Sequence, residues 1–288
     1  MASETKPTTE PLIRNISDTA LWVAVYRARE SERPDAVFND PYARKLAGER
    51  GEQIAQAQTF SAKHDWSFVA RTWLIDHFVN QEVAAGADAV LNLACGLDSR
   101  PYRLDLPPQL RWIEVDLPPL LAYKEGILAA EKPRCRLERI ALDLSNVAAC
   151  RELFARIAAQ NERVLVMTEG LLVYLEREQV LSLGQDLADA KKFQRWICDL
   201  QSPGLLKMLQ KKMNEQMAAT PFRFAPPEGP DFFLQCGWRP LEVRTLMKVA
   251  AKLKRLPFIM RLFAALPDSK VPGNRPWGGI CLLGRDGK

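Results

Sequence analysis

The sequence predicts an α/β protein: one mostly parallel sheet of seven strands with helices on both faces and a helical cover ahead of it. Three observations carry this. Between residues 89 and 200 short apolar runs alternate with helix-length amphipathic segments. Such a strand–crossover–strand series builds a parallel sheet buried under helices. Two more strand-length runs follow after residue 235, and the segment from about 16 to 85 reads as helical. At 288 residues the chain has length enough for one elaborated domain spanning 1–288, divided into a helical cover (1–88), a sheet core (89–203), and lid insertions with the last two strands (204–288).

In order, Ser17 or Asp18 is expected to cap "TALWVAVYRARE", and Asp40-Pro41 to open "YARKLAG". "AKHDWSFVARTWLIDHFVNQEVAAG" reads as one long helix stopped at Gly86. The strand candidates are "AVLNLA", "RWIEVD", "RLERIALDL", "RVLVMTEG" and "FQRWICDL", with helices at "PPLLAYKEGILAAEK" and "VAACRELFARIAAQ" between them. After residue 203 come "GLLKMLQKKMNEQMAAT", the proline-rich loop "PFRFAPPEGPD", the strand candidate "RPLEVRTL", a basic segment over 248–261 and a last apolar run, "WGGICLLG".

Composition narrows the function classes. A net charge of +5 is mild, and much of the excess lies in 248–261 without interleaved aromatics, so no nucleic-acid partner is expected. No run approaches eighteen apolar residues and the N-terminus lacks a signal-peptide pattern, so no membrane partner is expected and the address is cytoplasmic. Six cysteines are scattered without a Cys-x-x-Cys pair. They read as buried small hydrophobes rather than a disulfide framework or a zinc site. His64 and His77 stand thirteen apart on the same expected helix, which excludes a His-x-x-x-His pair; no metal is expected.

In an open parallel sheet the ligand crevice lies beyond the carboxyl ends of the strands. The residues found there are Ala94-Cys95-Gly96, Asp116, Asp143-Leu144 and Glu169-Gly170. Gly96 and Asp116 are twenty apart, near the spacing at which an acid on a second strand reaches the ribose of a nucleotide held over a small-residue turn. Buried strands also end in Gly or Ala for packing alone, so the following acids carry the argument. The chain has neither a full G-x-G-x-x-G here nor a G-K-[ST]. A nucleoside cofactor without phosphate fits better than a dinucleotide or a triphosphate.

"DTALWVAVYRARESERPDAVFNDPYARKLAG", "LNLACGLDSRPYRL", "WIEVDLP", "LDL" and "TEGLLVYL" together resemble the leucine carboxyl methyltransferase family of class I S-adenosylmethionine-dependent methyltransferases, in its bacterial small-molecule O-methyltransferase branch. The resemblance covers roughly 16–203, returns at "RPWGGICLL", and implies a Rossmann-like sheet with S-adenosyl-L-methionine as cofactor. It implies that Asp116 binds the ribose hydroxyls, Asp143 the adenine amino group with the Leu144 backbone beside the ring, and Glu169 the methionyl ammonium. Arg27 and Arg71 would hold its carboxylate. The turn of such proteins usually carries two glycines; here Ala94 stands at the first, and the expectation is that Gly96 alone takes the positive φ.

Transfer to an oxygen is implied, a carboxylate of a small polyketide-like acceptor suiting it best. The alternatives are a protein C-terminal leucine carboxylate, a nucleotide-dependent oxidoreductase, and a non-catalytic protein that keeps the cofactor pocket. Periodicity places Arg71 on a stripe with Phe68, Ile75 and Phe78, and Arg27 with Ala20, Val23 and Ala24. A guanidinium facing the interior needs an anion, either the cofactor's carboxylate or an internal acid. Asp98 and Arg100 read equally as a helix cap with its ion pair or as substrate contacts, and Tyr174 as the acceptor-pocket residue or a packed aromatic. Arg33 and Asp40 are expected to fix the cover, and 248–261 to form a solvated lid or surface helix interrupted at Pro257.

Overall fold

The computed structural model describes Ile13 and residues 15–213, 220–266, 273 and 275–285. The polar first ten residues and the end of the segment expected helical over 204–220 lie outside them. The cover consists of α1 (Ile16–Ser31), α2 (Ala43–Ala57), α3 (Thr59–Ala62) and α4 (Asp65–Ala84). Asn15, not Ser17 or Asp18, caps α1, its side chain accepting from the Asp18 amide at 3.3 Å. Asn is as good a cap as either. Asp18 is thereby left to pair with Arg50 at 2.9 Å.

The long helix expected over 62–86 is broken. His64 (φ −125°) stands as the cap residue of α4, and its Nδ1 lies 2.8 Å from the Phe60 carbonyl at the end of α3. His64 and His77 therefore do not share a helix. Gly86 does end α4, at φ +96°.

The sheet holds β1 (Ala89–Leu93), β2 (Arg111–Asp116), β3 (Arg136–Ala141), β4 (Val164–Thr168), β5 (Phe193–Gln201), β6 (Trp238–Thr245) and β7 (Gly278–Arg285), each within a few residues of its predicted run. Their order is β3-β2-β1-β4-β5-β7-β6. The first five are parallel; β7 runs antiparallel to both β5 and β6. The intervening helices are α5 (Arg100–Arg103), α6 (Pro118–Leu128), α7 (Val147–Gln160), α8 (Arg177–Asp189), α9 (Pro203–Met213), α10 (Leu246–Lys252) and α11 (Phe258–Ala264), with 3-10 turns at Leu172–Tyr174 and Gly229–Cys236.

Both faces of the central strands β1 and β4 are buried, because successive side chains of a parallel strand serve opposite cores. Leu91, level with Ile113 and Val166, packs toward Phe154 of α7 and Val180 of α8. Val90, level with Trp112 and Leu165, packs toward α4 and α10 through Phe78 and Val249. The strand order reverses between β1 and β4, so a crevice opens at their carboxyl ends. The cover closes that crevice from above.

Candidate active site

A cavity of about 740 Å³ fills this crevice. Its floor is the turn after β1. Ala94 takes φ +52°, as does Gly96, so the expectation that glycine alone would hold the positive φ is wrong. Crowding of the Ala94 Cβ is tolerated because the turn is fixed on both sides. The Cys95 amide donates to the Val115 carbonyl at 3.1 Å and the Gly96 amide to Asp116 Oδ2 at 2.7 Å. Asp116 Oδ1 accepts from the Leu117 amide, also at 2.7 Å. Burial pushes the Asp116 carboxyl above its usual range, against the two backbone donors that pull it down. Each oxygen keeps acceptor capacity beyond its one backbone donor, and Asp116 lines the cavity.

Asp143 and Leu144 are placed differently. β3 is the sheet edge, two strands from β1, and neither residue belongs to the cavity lining. Asp143 is exposed and accepts from the Ser145 amide at 2.8 Å, which holds its carboxyl below the usual range.

The arginines enter the cavity wall already paired. Arg27 donates to Asp40 Oδ2 at 2.8 Å and to the Leu97 carbonyl at 2.6 Å. Arg71 lies 3.0 Å from Glu169 and 3.4 Å from Asp199, its guanidinium 5.4 Å from the Phe68 ring centre. The internal acid partners weighed from periodicity are thus present. Glu169 also accepts from Arg100 at 2.8 Å. Burial raises the Glu169 carboxyl, but the Arg100 and Arg71 charges outweigh it and leave it below the usual range. Arg100 in turn donates to Asp76 at 2.6 Å and pairs with Asp98 at 3.1 Å, so the expected local ion pair is realised. Asp98 also accepts from the Arg100 amide at 2.9 Å, though Ser99, without a side-chain cap bond, is the N-cap of α5. Arg103 closes the chain by gripping Asp76 at 2.6 Å and approaching Asp40 at 3.8 Å. Asp40 fixes the cover as expected; Arg33 is exposed and pairs with Asp35.

Other participants were missed, Asn92 and Arg103 among them. Asp199 stands near the end of β5, where the strand-end rule, applied to only four strands, would have found it. Asp76 lies on the buried face of α4, an acid within an apolar pattern. His64 lines the cavity because the α3–α4 break turns it inward. Its Nδ1 faces a carbonyl, which only accepts, so Nδ1 donates there. Tyr174 lines the cavity too, tilted against Phe222 with ring centres 5.5 Å apart. Burial pushes its hydroxyl up to about 12, so it stays protonated at neutral pH. All six cysteines are buried and unpaired.

A nucleoside carrying an amino-acid tail fits this lining. The small-residue turn admits close backbone approach, Asp116 offers acceptors to vicinal hydroxyls, and Asn92 Oδ1 is buried without a partner among the described residues. Much of the remaining wall is apolar, with Trp66, Met208, Phe222 and Trp277 among its members, interspersed with Ser17, Thr19, Gln201 and Thr245.

Residues 20–188 match the family model described as leucine carboxyl methyltransferase. A protein of Frankia alni, provisionally named an S-adenosyl-L-methionine-dependent methyltransferase, is 30% identical over 254 residues, covering 82% of this chain and 88% of its own. A relative from Saccharopolyspora erythraea with the same provisional name is 36% identical over 187 residues, 60% of this chain and 62% of its own. Among solved structures, a DUF574-family protein of Streptomyces avermitilis superposes with TM-score 0.57 over 93% of this chain and 97% of its own, at 13% identity. A provisionally named methyltransferase of Thermobifida fusca gives TM-score 0.57 over 99% and 100%, at 15% identity. Those two likenesses show a shared fold.

Proposed function

The chain belongs to the leucine carboxyl methyltransferase family, and from that premise we propose that this S-adenosylmethionine-dependent methyltransferase alkylates an oxygen of a small apolar acceptor, a carboxylate by preference. When bound, the cofactor supplies a methyl group already activated by its sulfonium, so the protein's work is placement and exclusion of water. In this reading Asp116 takes the ribose hydroxyls, and Glu169 with the buried Asn92 Oδ1 meets the ammonium. Ala94 and Gly96 let the backbone approach. Arg27 and Arg71 already hold acids, so they bind the cofactor carboxylate by sharing those partners. Asp143 and Leu144 would meet the adenine at the open edge of the crevice.

The feature that favours a carboxylate is the placement of Tyr174 in the cavity wall, where burial keeps its hydroxyl protonated. It can donate a hydrogen bond to an acceptor oxygen but cannot take its proton. An acid acceptor arrives ionised and needs no base. One observation supports a hydroxyl acceptor instead: the imidazole of His64, anchored through Nδ1 to the Phe60 carbonyl, stands in the cavity wall.

Single-turnover methyl transfer, using an acceptor found by incubating a metabolite library with methyl-labelled cofactor, separates the two. A carboxylate gives a flat rate between about pH 6 and 9. A rate that instead rises steeply with pH across that range, and falls severely in His64→Gln, establishes the hydroxyl reading. Cofactor placement is tested by calorimetry with S-adenosylhomocysteine. Asp116→Ala should weaken binding by about 2–3 kcal/mol, the worth of two charged hydrogen bonds. Unchanged affinity overturns that placement.

A further inference from the structure

The basic segment expected to form a solvated helix is split at Pro257, and its second half is apolar. Phe258, Ile259, Leu262, Phe263 and Leu266 are between 59% and 75% exposed, all within or just beyond α11. The helix is held in place from beneath. Ala264 and Met260 pack into the core under the sheet, and Arg255 donates to both Glu30 carboxylate oxygens at 2.8 and 2.9 Å. Five large side chains are thus presented outward from a fixed base, far more than scattered surface leucines require.

Two features identify what covers them. From 243 to 267 the sequence contains no Asp or Glu, while Lys252, Lys254 and Arg261 are exposed beside the patch. The surface also continues into the cavity, since Met260, Phe263 and Leu266 line its mouth. We propose that α11 and its basic flank form a docking surface for an anionic phospholipid bilayer, the apolar side chains entering the acyl boundary and the lysines meeting lipid phosphates. A second copy of the chain fits less well. Isologous pairing would set the same cations against each other. If the methyl-transfer reading holds, a lipid-soluble acceptor would pass from bilayer to cavity without crossing water.

Flotation of the full chain with vesicles tests the surface without turnover, so its failure and that of the methyl-transfer reading are separable. Vesicles containing phosphatidylglycerol should carry the protein, pure phosphatidylcholine much less, and added salt should release it. Lys252→Gln with Lys254→Gln should weaken partitioning roughly 30-fold, and Phe258→Ser with Ile259→Ser should abolish it. None of these four side chains lines the cavity, so the thermal midpoint and S-adenosylhomocysteine affinity should stay unchanged. Protein that stays in the aqueous phase, or floats equally with neutral vesicles, overturns the proposal. So does a dimer in sedimentation that the Phe258→Ser, Ile259→Ser protein lacks, which would assign the patch to a second copy.

Discussion

An alanine held at positive φ costs the fold on the order of 1–2 kcal/mol, because its Cβ crowds the following carbonyl. Ala94→Gly removes that cost but gives the unfolded chain about 0.5–1 kcal/mol more entropy to lose. The net expectation is a gain of about 0.5–1 kcal/mol, seen as a thermal midpoint raised by roughly 1–3 °C. A lowered midpoint would mean that the alanine is not strained. The sequence rule failed here because steric exclusion of alanine is a finite energy. Two hydrogen bonds and the end of a buried strand override it. Asp116, by contrast, was legible from a spacing alone, since twenty residues from Gly96 is the length of one helix-linked crossover.

Among the elements, α1 and α4 meet the sheet through buried charge as well as through apolar packing. Asp40, 2% exposed, is the hub at the cover end, with Arg27 at 2.8 Å and Arg103 at 3.8 Å. Burial raises its carboxyl, but the Arg27 and Arg103 charges prevail and leave it below the usual range. The unfolded chain therefore takes up a proton before the folded chain does. The stability this carboxylate confers is full above its ordinary value near 4 and is lost as pH falls through the lower folded value. Asp40→Asn should destabilise the protein by about 3 kcal/mol at pH 7, having stranded a buried cation. In urea melts the gap from the parent should narrow as pH drops from 4 toward 2. A gap constant with pH would show that packing, not charge, sets the loss. The charges of this network that lie on amphipathic stripes were readable. The break before α4 was not, because the 62–86 apolar pattern runs through it undisturbed; a histidine competing for the Phe60 carbonyl leaves no mark in that pattern.

On the scale of the whole molecule, the half-exposed edges β3 and β6 mix in polar residues, while the inner strands were visible as apolar runs because burial on both faces demands them. Their order was not, since apolar pattern says which residues are buried and nothing about which strand lies beside which. The resemblance supplied the architecture that pattern could not. β7, the last element of the described residues, is threaded between β5 and β6 and pairs with both. That placement has a consequence during biosynthesis. β5 ends at Gln201 and its partner begins at Gly278, so at 5–20 residues per second the nascent chain spends about 4–15 s with β5 complete and one edge bare. Neither β6 nor the cavity wall at Trp277 can be seated until the final strand leaves the ribosome. Translation that stalls late would leave a soluble-looking five-strand intermediate with an adhesive edge, the species on which a chaperone would have to act.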